Sequence, residues 1–188
     1  MAGDKPRYLQ DNRDIIWSLI PLVLFIVIIA GIARSCSFSP GGPTSGPVPQ
    51  FDINAALTFD AAELDFPIRN PVVPDTWQPN SGSRGTASGD GGGDVSTVGY
   101  ITDTGTYLQL SQSSATEEAL VPWVAGDRRA STGADFYDGN SWVHYDEEGS
   151  EPIWVTDLGD VRVLVTGSGS TDEFATLATA VGQAEPID

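Results

Sequence analysis

Ile15–Ala33 is an almost unbroken apolar run, interrupted only by Ser18, Pro21 and Gly31, and no other feature restricts the architecture of this chain as much. As a helix rising about 1.5 Å per residue it would extend ~28 Å, close to the hydrocarbon thickness of a bilayer. It lacks the polar stripe of a helix packed against a soluble core, and Pro21 falls early, where lost backbone hydrogen bonds cost least. The run therefore predicts a transmembrane helix over 15–33 behind a cytoplasmic segment over 1–14. Lys5, Arg7 and Arg13 precede the run and only Arg34 follows closely. That bias places the N-terminus inside and the C-terminal bulk outside the plasma membrane, as a single-pass protein. The retained anchor competes with two other fates. Cys36 could carry a lipid after cleavage, although Arg34 two residues before it suits a signal peptidase badly, and "GIA" at 31–33 could be cut as an ordinary secretory signal. Gly31 and Ser35 stand at small-xxx-small spacing, a helix-packing signal that is weak alone.

Residues 34–50 are rich in Pro, Gly and Ser and read as an extended, semi-stiff linker, so a folded domain is expected over 51–188. With Cys36 the only cysteine, that domain can form no internal disulfide and must rest on packing. Charge narrows its partners. The whole chain carries −17, and residues 36–188 hold 23 acidic against 5 basic side chains, with no lysine after Lys5. Such a surface repels phosphate backbones, which excludes nucleic-acid binding.

Apolar spacing predicts a helix over Ile53–Glu63. Prolines at 67, 71, 74 and 79 then keep the following stretch extended, with at most the character of an edge strand. Strands are expected over Val95–Thr102 and from Tyr107, joined by a tight turn at Asp103-Thr-Gly105. A helix should begin near Ala115, capped by Ser114 with Glu117 and stopped at Gly126. Four short strands follow at 135–137, 141–145, 152–156 and 161–166. A final helix is capped by Ser170 with Glu173 and buries Phe174, Leu177, Ala178 and Val181. Consecutive strands joined by tight turns predict an α+β domain: an antiparallel sheet with two or three helices covering one face.

Catalytic chemistry is poorly represented. His144, the only histidine, lies in "SWVHY" as a half-buried strand residue, and no Gly-x-Ser-x-Gly elbow accompanies it. Asp135, Asp138 and Asn140, or Asp90 and Asp94, resemble fragments of calcium loops without the full ligand set. "GDGGGD" has no phosphate-cradle spacing. The expectation is a protein that is not an enzyme and needs no metal or cofactor. The densest recognition chemistry is "DTWQPNSGSR", where Trp77, Asn80, Ser81, Ser83 and Arg84 could meet a carboxylate or an acidic peptide. The competing reading is a Pro-rich connection whose Trp packs on the sheet and whose Arg neutralises nearby acids. Gln109 joins the candidates because it points away from the leucine face of its strand, together with Ser111.

Several stretches, among them "LQDNRDIIWSLIPLVLFIVIIAG", "WQPNSGSR", "YLQLSQSSATEEALV" and "WVTDLGDVRVLVTG", resemble a family of small actinobacterial single-pass membrane proteins. The outer domain of this DUF4245-type family is of unknown function. The resemblance implies an envelope location and transfers no catalytic residue. By strand order the outer fold is similar to the Mog1/PsbP-like group. Small anchored proteins of this shape also resemble extra subunits of actinobacterial respiratory cytochrome complexes. The expected function is accordingly that of a non-enzymatic accessory or assembly subunit of an integral membrane complex. The alternative is an extracytoplasmic module binding cell-wall peptides or lipids.

Overall fold

The computed structural model describes residues 12–33 and 51–187. The chain divides into two compact units, one ending at Val48 and the other starting at Pro49. In the first unit, helix α1 spans Asn12–Ala33 with Pro21 inside it. Among the described residues no helix is long and apolar enough to cross a membrane. That corrects the expected transmembrane helix over 15–33, and with it the single-pass topology and the membrane partnership through the chain's own helix. Gly31 falls within α1, while Ser35, Cys36 and the linker over 34–50 lie outside the described residues.

The second unit contains α2 (Ile53–Glu63), β1 (Gln78–Ala87), β2 (Gly93–Ile101), β3 (Tyr107–Ser113), α3 (Glu117–Ala125), β4 (Gly133–Tyr137), β5 (Asn140–Tyr145), β6 (Ile153–Asp157), β7 (Arg162–Gly167) and α4 (Thr171–Gln183). It is an α+β domain built on one seven-stranded sheet of order β1-β2-β3-β7-β6-β5-β4. Every neighbouring pair is antiparallel. The sheet is thus two meanders, β1–β3 and β4–β7, joined where β3 meets β7.

Strand alternation sorts the core onto two faces. Val98, Tyr100, Leu108, Leu110, Trp142, Trp154, Val163 and Val165 pack with Leu57 of α2 and with Phe174, Leu177, Ala178 and Val181 of α4. Their sequence neighbours Ile153, Val155 and Leu164, with Val95, pack instead with Ala119, Leu120 and Val121 of α3. Helices therefore cover both faces, not one. The reason lies in "IWV" and "VRVLV", whose apolar residues run on consecutively. A central strand apolar on both sides must be covered on both sides.

The proline-rich stretch goes further into the sheet than expected. β1 is ten residues long, pairs with β2 throughout, and breaks register only between Pro79 and Ser81. An edge position makes this possible, because Pro79 has no N–H to give and the outer side of β1 asks for none.

Helix α3 departs from its expected cap. It begins at Glu117, Thr116 is the N-cap, and no side chain caps it. Ser113 Oγ accepts from the Ala115 N–H at 3.0 Å and donates to Asp94 O at 2.7 Å, fixing the entry without Ser114. Glu117 is occupied elsewhere, accepting a hydrogen bond from the Tyr145 hydroxyl. At the far end Gly126 takes the left-handed conformation (φ 82°), and its N–H closes on Pro122 O at 2.9 Å. In α4 the expected reciprocal cap is present: the Glu173 N–H donates to Ser170 Oγ at 3.3 Å and the Ser170 N–H to Glu173 Oε2 at 2.6 Å.

Two buried polar devices hold the face bearing α2 and α4. Gln112, 1% exposed, completes a strand neighbour with its side chain: its Nε2 donates to Arg69 O at 2.8 Å and its Oε1 accepts from the Arg69 N–H at 2.7 Å. On the other side of this segment Arg69 bridges to Pro186, and the Ile187 N–H donates to Ile68 O at 2.8 Å. Second, Asp60 of α2 is buried and receives hydrogen bonds from the Arg84 guanidinium and the Ser96 hydroxyl. Asp60→Ala should strand the buried Ser96 hydroxyl while Arg84, a third exposed, turns to water. The expected cost is about 1–2 kcal/mol, read as a lower urea midpoint at unchanged slope. An unmoved midpoint would show that this carboxylate does not hold α2 to the sheet.

Candidate functional site

The stretch from Trp77 to Arg84 does not form a recognition loop. Trp77 is 6% exposed and packs in the core, its ring 6.4 Å from that of Tyr100. From Gln78 onward the residues belong to β1, and alternation sends them to opposite sides. Arg84 stands on the α2 side, paired with Asp60 and lying 4.5 Å over the Phe59 ring. Ser81 and Ser83 face the α3 side, opposite Gly99 and Thr97 of β2. Asn80 is exposed at the register break. Ser81 Oγ lies 3.4 Å from the Tyr107 hydroxyl. These residues are not one site.

Gln109 is different, because it opens a polar row across the α3 side of the sheet. It stands opposite Gly99 on one neighbour and Thr166 on the other, and Thr166 stands opposite Ile153. Gln109 Nε2 donates to Ser111 Oγ at 3.1 Å, and Ser111 Oγ lies 3.0 Å from Thr97 Oγ1, so an amide and two hydroxyls form a linked floor. Above Gln109, Thr166 and Ile153 lies a pocket of about 470 Å³. The C-terminal turn of α3 walls it with Trp123, Val124 and Ala125, and Arg129, Ser150 and Glu151 close the other side.

Each wall is held in place. Trp123 is 40% exposed, and its six-membered ring lies against Gly85: a Cβ added there would come within 2.6 Å of Cζ2. A glycine at 85 is what lets the indole lie on the strand. Arg129 is 10% exposed along its side chain; it donates from Nη1 to Glu151 O at 3.0 Å and meets Glu147 at 3.3 Å. Thr166 Oγ1 donates to Pro152 O at 2.9 Å. Tyr145 ties α3 to β5 through Glu117. Burial, then that hydrogen bond, then the charges of Glu117 and Glu118 push its phenol well above the usual range, so the tie stays protonated.

His144 sits on the opposite face, in a separate cavity of about 310 Å³ lined also by Asp135, Asp146, Trp154 and Thr171. Its ring stacks on Trp154 at 4.3 Å, Nδ1 lies 3.9 Å from Asp135 Oδ2, and Nε2 is buried without a partner. The histidine and the Gln109 row are therefore on different sides of the sheet. Among the described residues no group of three or more His, Cys, Asp or Glu could hold a metal ion.

Sequence reasoning reached Gln109 and missed Trp123 and Arg129. Trp123 reads as a core residue of an apolar helix. The available signal was its place between Pro122 and the Gly126 stop, at the end of the helix.

The architecture defines an α+β domain with a polar pocket on one face of its sheet. The chain belongs to the family described as protein of unknown function (DUF4245), whose family model matches residues 7–181. No curated protein and no solved structure matches it. The single-pass character implied by the resemblance does not come with that membership, since no described helix is long and apolar enough to cross a membrane. The accessory-subunit function, with its respiratory partner, depended on that anchor and is withdrawn with it. The peptide or lipid module depended on Trp77 and Arg84, and those residues are engaged in the core and with Asp60.

Proposed function

We propose that the second unit is a non-catalytic binding domain that takes a small, neutral, polar ligand in the pocket between α3 and the β5–β6 connection. The observation that carries this reading is the lining: amide, hydroxyl, guanidinium and carboxylate groups converge beside one half-exposed indole, over a floor fixed by its own hydrogen bonds. Pockets that orient a ligand combine an aromatic surface with a few placed polar groups in this way. The charge argues for neutrality. An anion would meet a strongly acidic domain, and the cation at the wall, Arg129, is already engaged by Glu147 and Glu151 O.

The test is a chemical-shift map of the ¹⁵N-labelled full chain against neutral sugars, nucleosides and short amide-capped peptides. A binder should move the Gln109 side-chain amide and the Trp123 indole N–H, and Gln109→Ala should weaken it by about tenfold. Shifts confined to the His144 cavity, or none across the panel, would overturn the proposal.

A further inference from the structure

The pocket's geometry also points to a chemical class of ligand, an inference that rests on the binding reading above. We infer that the site is built for a saccharide, a ring with one face of C–H groups and a rim of hydroxyls. Three features argue for this class over other neutral polar molecules.

The first is the platform. Trp123 presents its indole at the pocket wall, 40% exposed and backed by Gly85, so it offers flat area without loss of side-chain freedom on binding. Large aromatic rings give contact area to the apolar face of a ligand that is otherwise wet. The second is the floor. Gln109 and Thr166 are directly opposed on β3 and β7, and Gly99 continues the same row on β2. Neighbouring strands stand about 4.8 Å apart, so amide and hydroxyl groups follow one another across the strands at that interval. A rim of ring hydroxyls, each both donor and acceptor, can meet such groups in either sense. The third is the side closed by Arg129, Ser150 and Glu151, where Arg129 is held by Glu151 O and by the Glu147 carboxylate, so that guanidinium, hydroxyl and carboxylate groups offer donors and acceptors to adjacent sugar hydroxyls. A nucleobase would want a slot closed on both faces, and a peptide would want a free strand edge. The row instead lies in the interior of the sheet, between β2 and β6.

The experiment is calorimetric titration of the full chain with cellobiose, maltotriose and N,N′-diacetylchitobiose, beside uridine and triglycine amide. At least one sugar should bind, Trp123→Ala should weaken it by about tenfold or more, and Trp123→Phe should restore most of the loss. Unchanged far-UV circular dichroism and thermal midpoint identify variants that remain folded. If uridine or triglycine amide binds with dependence on Gln109 while no sugar does, the saccharide assignment fails and the pocket reading stands. If no probe binds, both fail. A sugar that binds equally well to Trp123→Ala overturns the platform and with it the class.

Discussion

Replacing Gln112 with leucine is expected to cost about 2–5 kcal/mol of folding stability, although leucine is apolar and close to glutamine in size. The side chain is among the largest that are fully buried, and it bonds both backbone groups of Arg69. Leucine would fill the space and leave a donor and an acceptor without partners, each costing about 1–3 kcal/mol when shielded from water. The segment through Ile68 and Arg69 would then be held on one side only, by the chain's end at Pro186 and Ile187. Urea unfolding should show the lower midpoint, and hydrogen exchange should show faster exchange at the Arg69 N–H. Equal stability of wild type and Gln112→Leu would mean that this segment finds water or another partner without cost.

The second large effect is a loss of stability in acid that runs through Glu173. Its carboxylate caps α4 and also accepts hydrogen bonds from Thr104 Oγ1 at 2.8 Å and Thr106 Oγ1 at 3.1 Å, joining the β2–β3 turn to the helix. Burial alone would push this carboxyl up. The hydroxyls of Thr102 and Thr104, together with the Ser170 N–H and hydroxyl, outweigh that and hold it down at about 2, from an ordinary 4.5. A carboxyl more acidic in the folded chain than in the unfolded one stabilises the fold above its unfolded pKa. That contribution disappears as pH falls from about 4.5 to about 2, and for this group it is on the order of 3 kcal/mol. Glu173→Gln keeps a side chain able to close the cap but has no proton to gain. The variant should be less stable at neutral pH, and the gap to wild type should narrow between pH 4.5 and 2. A gap that stays constant across that range would place the acid loss at other carboxylates.

Much of this domain was legible in local sequence. Ser170 and Glu173 stand at the spacing that lets each side chain reach the other's backbone, and the helix begins where that signal says. The turn at Gly105 (φ 82°) and the stop at Gly126 are positions where a left-handed backbone favours glycine, so the elements around them were bounded in advance. What local pattern could not show was partnership. β1 carries Pro79, Asn80, Gly82 and Gly85, residue types depleted in strands, and it holds its place because β2 offers a ladder along its length. Trp77 and Arg84 lie close together in sequence and on different elements of packing in space. Glu117 had the right spacing for a cap and was taken by Tyr145, a residue far along the chain. Gln109 was found because alternation alone sets its side of the strand. Trp123 was not, because whether a helical aromatic has sheet beneath it depends on where the helix lands.

The meeting of β3 with β7 carries a further consequence, in the way the chain must close. Each hairpin joins strands that are neighbours in sequence, so its turn is the whole of the loop to be closed. The seam joins Ser113 to Arg162 and Leu108 to Gly167, enclosing α3 and an entire meander. Loop entropy grows with the enclosed length, so this ladder is the dearest to form and the only one that no turn assists. Leu108 and Leu110 meet Val163 and Val165 on one side of it, and Leu164 is buried on the other. Apolar density is concentrated at the one place where local structure gives no help, and there burial itself has to close the loop.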